Sequence, residues 1–447
     1  MRRLLTHLAG LTEESYHRAI CSSLSGLAGS APTPDPPPKG FREPPTPPGS
    51  LRPPAGKGGC NAALETFKRE NSMKFEPFAM ERWQSTYEHA VRFNLSESGV
   101  EPLTLGELLE LVELDAGELH GTLIEYNPSD GSPALRSAIA EMYPDATPRN
   151  VLVTNGGAEA NFVTSWLLCE PGDDVLYLAP NYMQVPGMAT NWGCTAIPVP
   201  LHEASGWQPD LDELSSLITD TTKLILVTNP NNPTGAILTE AAMRRIVEVA
   251  DSVGAWIVAD EIYRGAELDG VETPTFWGRY DKVVVTSGMS KAFSLPGLRI
   301  GWTIVPESLR EQLWARKDYT SIAMGTLSDV LATHALHPIA RDRIHARTRG
   351  ILNANLPILE DWLRARGDHF SWKRPQAGAI VYARYDLPVG GLELAETMRT
   401  KADCLIVPGD HFDMPNYIRL GFGPSPERLR MALASCADVL DSLSVNV

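Results

Sequence analysis

The sequence predicts an α/β protein, with a mostly parallel central sheet covered by helices and a smaller α+β domain. Three observations lead there. Short apolar runs rich in Val, Ile and Leu alternate with helix-length segments between residues 151 and 288. Most of these runs end in a cluster of Gly, Asn, Asp or Ser. After about residue 345 the rhythm changes to long amphipathic helices around brief strands. Continuous apolar runs belong to strands buried on both faces, and helices between them make the connections parallel.

The elements follow in order. Residues 31–56 (APTPDPPPKGFREPPTPPGSLRPPAG) are dense in Pro and Gly, so residues 1–72 are expected to be a disordered extension. The opening residues carry an early Arg pair and amphipathic spacing, as an organelle-targeting peptide would. Glu13 and Glu14 argue against one, and the expectation is a cytoplasmic protein. Residues 73–110 precede the sheet and are assigned to the smaller domain, together with residues 341–447; residues 111–340 form the large domain. In the large domain the expected strands are VLVT (151–154), VLYLAP (175–180), KLILVTNP (223–230), WIVADEIY (256–263) and KVVVTSG (282–288). The pattern MRRIVEVADSVG reads as the helix before the fourth. In the smaller domain ARTRGILNANLPILEDWLRARG and SPERLRMALASCADVLDSL read as helices, and IVYARY, CLIVPG and YIRLGFG surround a further helix.

Composition narrows the function. The formal net charge of −16 disfavours coating nucleic acid, and no apolar stretch is long enough to span a membrane. Neither a nucleic-acid nor a membrane partner is expected. The six cysteines are scattered without a Cys-x-x-Cys pair, which fits a reducing compartment and suggests no metal site.

Ligands of such sheets bind beyond the carboxyl ends of the strands, where the polar clusters fall. Lys291 follows an apolar strand and a Gly turn, in Ser287-Gly288-Met289-Ser290-Lys291. It is either a solvated strand-end lysine or a Schiff-base lysine, which must be a neutral amine to act. Arg299, eight residues on, has the fork that grips a phosphate. Asp260 ends an apolar strand and, if buried, needs a cation; a protonated pyridine nitrogen would serve, and a helix cap or surface carboxylate is the alternative. Tyr263 and Asn232, the latter in Asn231-Asn232-Pro233-Thr234-Gly235, can both reach a phenolic oxygen on that ring; Asn232 also suits an ordinary turn. Asn155-Gly156-Gly157-Ala158 lies between a strand and a helix, where free N–H groups bind anions. Tyr182 can stack on a planar cofactor or pack in the core. Arg419, alone in an apolar strand, needs a carboxylate, from a substrate or from the protein.

These residues in this order, over about residues 73–440, resemble the fold type I, class I/II aminotransferases of the aspartate aminotransferase superfamily. The resemblance implies pyridoxal 5′-phosphate as cofactor, with an amino acid and a 2-oxo acid as substrates. It makes Lys291 the lysine that joins the cofactor, Asp260 the partner of the pyridine nitrogen, and Asn232 and Tyr263 the partners of the phenolic oxygen. It assigns Gly156, Gly157, Ala158, Ser290 and Arg299 to the phosphate, Tyr182 to the ring, and Gly99, Asn232 and Arg419 to the substrate. It also implies a homodimer with shared active sites, in which Tyr126 reaches the neighbour's phosphate. Two departures stand out. Gly288 occupies a position where many members have a phosphate-binding serine. The stretch Asn94-Leu95-Ser96-Glu97-Ser98-Gly99-Val100-Glu101-Pro102 looks more like the subgroup containing capreomycidine synthase, which implies elimination or cyclisation of a modified amino acid as the alternative reaction.

Overall fold

A computed structural model describes residues 75–444, so the expected disordered extension, residues 1–72, lies outside the described residues. The strands, in chain order, are β1 (Phe93–Asn94), β2 (Val151–Asn155), β3 (Asp174–Ala179), β4 (Thr195–His202), β5 (Gln208–Pro209), β6 (Thr222–Thr228) and β7 (Trp256–Asp260). They continue as β8 (Val283–Gly288), β9 (Ile300–Ile304), β10 (Phe370–Trp372), β11 (Ile380–Tyr385), β12 (Cys404–Leu405), β13 (Val407–Pro408) and β14 (Tyr417–Gly421).

Eight strands form one sheet in the order β2-β9-β8-β7-β6-β3-β4-β5. β4, β3, β6, β7 and β8 are joined by parallel pairings. β9 is antiparallel to both β8 and β2, so β2 points the same way as the parallel set. β8 is buried along its whole length and β6 almost so. That explains their unbroken apolar sequences. Thr228, Asp260 and Thr286 lie side by side in β6, β7 and β8. The strands therefore finish level, and the polar residues after them emerge along one edge. Because β9 runs the other way, Arg299 at its start reaches that same edge.

The structure shortens two of the expected strands and adds others. The run 223–230 stops at Thr228. The run 256–263 stops at Asp260, where the Asp260 carboxylate accepts the Ile262 N–H and turns the chain. β4, which contains Pro198 and Pro200, was not among the expected strands; it lies next to the short edge strand β5. The helix Pro338–Arg364 begins earlier than the expected one and continues through Pro357.

A second sheet, in the order β10-β11-β14-β13, is antiparallel throughout. β1 pairs in parallel with β12, tying a segment before the large sheet to one well after it. Together they bring residues 94–99 and β14 to the large sheet's carboxyl edge, where Arg419 bonds to both Ser96 and Asn232. Among the described residues, no helix is long and apolar enough to cross a membrane.

Candidate active site

The carboxyl edge encloses a cavity of ≈ 320 Å³. Its walls include ten of the residues singled out from sequence: Gly157, Ala158, Tyr182, Asn232, Asp260, Tyr263, Ser290, Lys291, Arg299 and Arg419.

Lys291 donates from Nζ to Glu97 Oε1 at 2.6 Å. The two side chains are 23 % and 48 % exposed, because both face the cavity, while protein crowds them on the other sides. Burial by itself would lower the Lys291 amine, but the Glu97 carboxylate outweighs it and holds the amine above the usual lysine range. Burial likewise raises Glu97, yet Lys291 and the Gly99 N–H bring it down to about 2. The nucleophile of a Schiff base is the neutral amine, so this contact opposes it. Glu97 must release Lys291 before it can act as a nucleophile.

Asp260 is buried, which raises its carboxyl above the ordinary range. Its oxygens accept from Asn161 Nδ2 at 3.0 Å and the Ile262 N–H at 3.1 Å, both neutral donors. Asn161 is itself fixed by the Thr286 hydroxyl at 2.7 Å. Tyr263 donates to Ser98 Oγ at 2.8 Å. Asn232 accepts from Arg419 through Oδ1, which leaves its NH₂ to donate elsewhere. The Tyr182 hydroxyl bonds to Glu81 at 2.7 Å, and its ring meets the edge of Phe78.

Gly156 caps the helix Gly157–Leu168 at φ 80, a conformation that L side chains rarely adopt. A Cβ there would lie 2.4 Å from Arg299 Nη2, so only glycine lets the guanidinium lie over the helix start. The N–H groups of that first turn have no intrahelical acceptor, and with Arg299 they make an anion cradle. Gly288 cannot carry the serine common in similar chains: a Cβ would lie 2.9 Å from the Ile300 carbonyl. Ser287 turns away, donating to the Glu261 carbonyl at 3.2 Å and lining a separate cavity with Tyr143 and His345. Ser290 is the serine of this stretch that lines the cavity. Gly99 backs the wall, where a Cβ would come within 3.6 Å of Lys291 Cδ. Tyr126 is 88 % exposed and outside its own chain's cavity.

Sequence reasoning missed Glu97, Asn161, Ser98 and Glu81. Asn161 carried a readable signal, lying one helical turn after Gly157 on the face toward β7. Glu97 carried none, because its contact spans 194 residues.

A buried carboxylate held by neutral donors, an anion cradle and a lysine, all lining one cavity, define the class, an enzyme built around pyridoxal 5′-phosphate. The model of the family "Aminotransferase class I and II" matches residues 107–435. Capreomycidine synthase of Streptomyces vinaceus is 29 % identical over 371 residues, covering 81 % of this chain and 93 % of that protein. A probable aspartate/prephenate aminotransferase of Aquifex aeolicus is 27 % identical over 319 residues, covering 68 % and 80 %. Among solved structures, a PLP-dependent aminotransferase from Streptococcus suis superposes with a TM-score of 0.78 at 32 % identity, covering 83 % of this chain and 99 % of that one. Aspartate aminotransferase of Thermus thermophilus with maleate gives 0.73 at 26 % identity, covering 83 % and 98 %. The chain belongs to the class I and II aminotransferases.

Proposed function

We propose that this enzyme interconverts an amino acid and a 2-oxo acid. Arg419 carries the reading. Its side chain is 1 % exposed and bonds to two neutral oxygens, Asn232 Oδ1 at 2.8 Å and the Ser96 carbonyl at 2.6 Å, while its Nε has no partner. A buried guanidinium without a carboxylate is unfavourable. The α-carboxylate of an amino acid supplies both the charge and the missing acceptor.

The roles follow from the chemistry each residue offers. Pyridoxal phosphate, when bound, supplies an electron sink that stabilises negative charge at the substrate Cα. Asp260, oriented by Asn161, would hold the proton on the ring nitrogen. Tyr263 and the Asn232 amide would donate to the phenolic oxygen. Gly156, Gly157, Ala158, Ser290 and Arg299 would hold the phosphate, and Tyr182 would cover the ring. Lys291 would join the cofactor and, once freed, move the proton at Cα.

The working unit in this reading is a homodimer. Leu123, Ile124, Tyr126 and Leu327 are exposed, and the Thr326 hydroxyl holds the two segments together through the Glu125 carbonyl at 2.5 Å. Such an apolar patch suits a second copy, and Tyr126 would reach the neighbour's phosphate from it. Four described cysteines are free and buried, in keeping with a cytoplasmic or other reducing compartment.

Glu97 favours a second reading, elimination or cyclisation of a modified amino acid, because it offers an acid–base group beside Lys291. Single-turnover product analysis separates the two. Transamination gives a 2-oxo acid and pyridoxamine phosphate; ammonia or a lost side-chain group, with no pyridoxamine form, would overturn it.

A further inference from the structure

We infer that Glu97 is a positioning residue for Lys291: it holds the lysine whenever the substrate amine has displaced it from the cofactor, and it receives the ammonium formed when Lys291 takes the Cα proton. This rests on the reading of Lys291 given above and adds a residue to that same site.

Lys291 has two duties in that reading, and its bond to the cofactor is only one of them. Once displaced, it must stay beside Cα. The step it then performs breaks the Cα–H bond. The proton forms a new N–H bond at Nζ, the electron pair passes into the cofactor's electron sink, and the neutral amine becomes an ammonium. An enclosed ammonium needs an anion within reach. Among the described residues, Glu97 Oε1, 2.6 Å away, is the one hydrogen-bond acceptor of Nζ. Of the other carboxylates in the wall, Asp260 is assigned to the ring nitrogen and Glu81 accepts from the Tyr182 hydroxyl.

Glu97 is fixed in place for this. The Ser98 and Gly99 N–H groups each donate to the same Oε1 at 2.8 Å. Its backbone is held as well. The Gly421 N–H donates to the Leu95 carbonyl at 2.7 Å, and a Cβ on Gly421 would collide with the Glu97 carbonyl. β14 thus places both Arg419, which takes the substrate's carboxylate, and Glu97, which takes the lysine. A pair that only held the fold would be enclosed, whereas Lys291 and Glu97 both open on the cavity. Lys291 is also faced by Tyr263 and Asp260, from the end of β7 onward, and by Arg419, which faces Glu97 too. Glu97 has two opposed effects on catalysis. It makes Lys291 a stronger base, and it reduces the share of the amine that is neutral and able to act.

The test loads the enzyme with pyridoxamine 5′-phosphate. That form of the cofactor carries its own amine, so Lys291 is free while the phosphate site is filled. Cyanate carbamylates only neutral amines, and mass spectrometry of the Lys291 peptide gives the rate at this one residue as pH is varied. The wild-type midpoint should lie above about 10.4, the ordinary lysine value. Glu97→Gln should label Lys291 at least about tenfold faster at about pH 9, the change produced when the midpoint drops by one unit or more. Single turnovers of the twenty common amino acids by the holoenzyme separate positioning from a purely structural pair. With the fastest of them, Glu97→Gln should lower the limiting rate about tenfold and move the acid limb of its pH profile to lower pH. A wild-type labelling midpoint at or below the ordinary value overturns the inference, and that result needs no variant to fold. Unchanged labelling in Glu97→Gln overturns it too, as does altered labelling with the limiting rate and acid limb both unmoved. In each of those cases the functional reading stands; if the wild type converts none of the twenty, that reading fails as well.

Discussion

Ionised side chains are treated in opposite ways in two regions of this molecule. At the helix Glu307–Lys317, Arg310 donates to the Val151 carbonyl at 2.8 Å and pairs with Asp130, which Arg136 also approaches at 3.4 Å. At the carboxyl edge, Asp260 and Arg419 are just as enclosed, yet each is held by neutral groups. The protein supplies counterions where charges hold the fold together. It withholds them where a ligand is to bring its own. Glu261, one residue past β7, departs from this pattern: it accepts only from neutral donors, the Phe276 N–H at 2.8 Å and the Thr275 hydroxyl at 2.9 Å, and burial raises its carboxyl.

The largest expected effect comes from Asp260→Asn, which keeps the shape and removes the charge. It should lower kcat by about a thousandfold, since the carboxylate acts on charge that develops during the reaction. A full rate in steady-state assays would break the comparison at its strongest point. Next, Arg419→Gln should lower kcat/KM about a hundredfold while leaving the apoprotein's Tm unchanged or raised, because an uncompensated buried charge is removed. Arg310→Gln should do the reverse: about 2 kcal/mol less stability by thermal or urea unfolding, with KM unaffected. If the two variants behaved alike, the distinction between structural and ligand-awaiting charges would fall.

The smallest effect concerns Glu261. Burial raises its carboxyl from 4.5 to about 7. Between those values the folded chain holds a proton that the unfolded chain has lost. Stability should therefore fall by about 1 kcal/mol per pH unit as pH rises through that window, then level off. Glu261→Gln should remove this slope in urea titrations of the apoprotein at several pH values.

Most of the edge is readable from sequence for a simple reason. Asn232, Asp260 and Lys291 each follow an apolar run, so the strand that buries the run also delivers the polar residue to the edge. Arg419 is readable as a cation inside such a run, YIRLGFG. β4 was hidden by its prolines, and β9 by the absence of a turn signal after Arg299. Glu97 was hidden because its meaning depends on β1 pairing with β12, a long-range event that no local pattern encodes. Gly288 looked like a lost contact and is a packing requirement set by Ile300.

The account turns on Lys291 as the lysine that joins the cofactor. Reducing the holoenzyme with borohydride, digesting it and mapping the modified peptide by mass spectrometry tests this most directly. A phosphopyridoxyl group on Lys291 is the predicted result. The same group on another lysine, or on none, would contradict it.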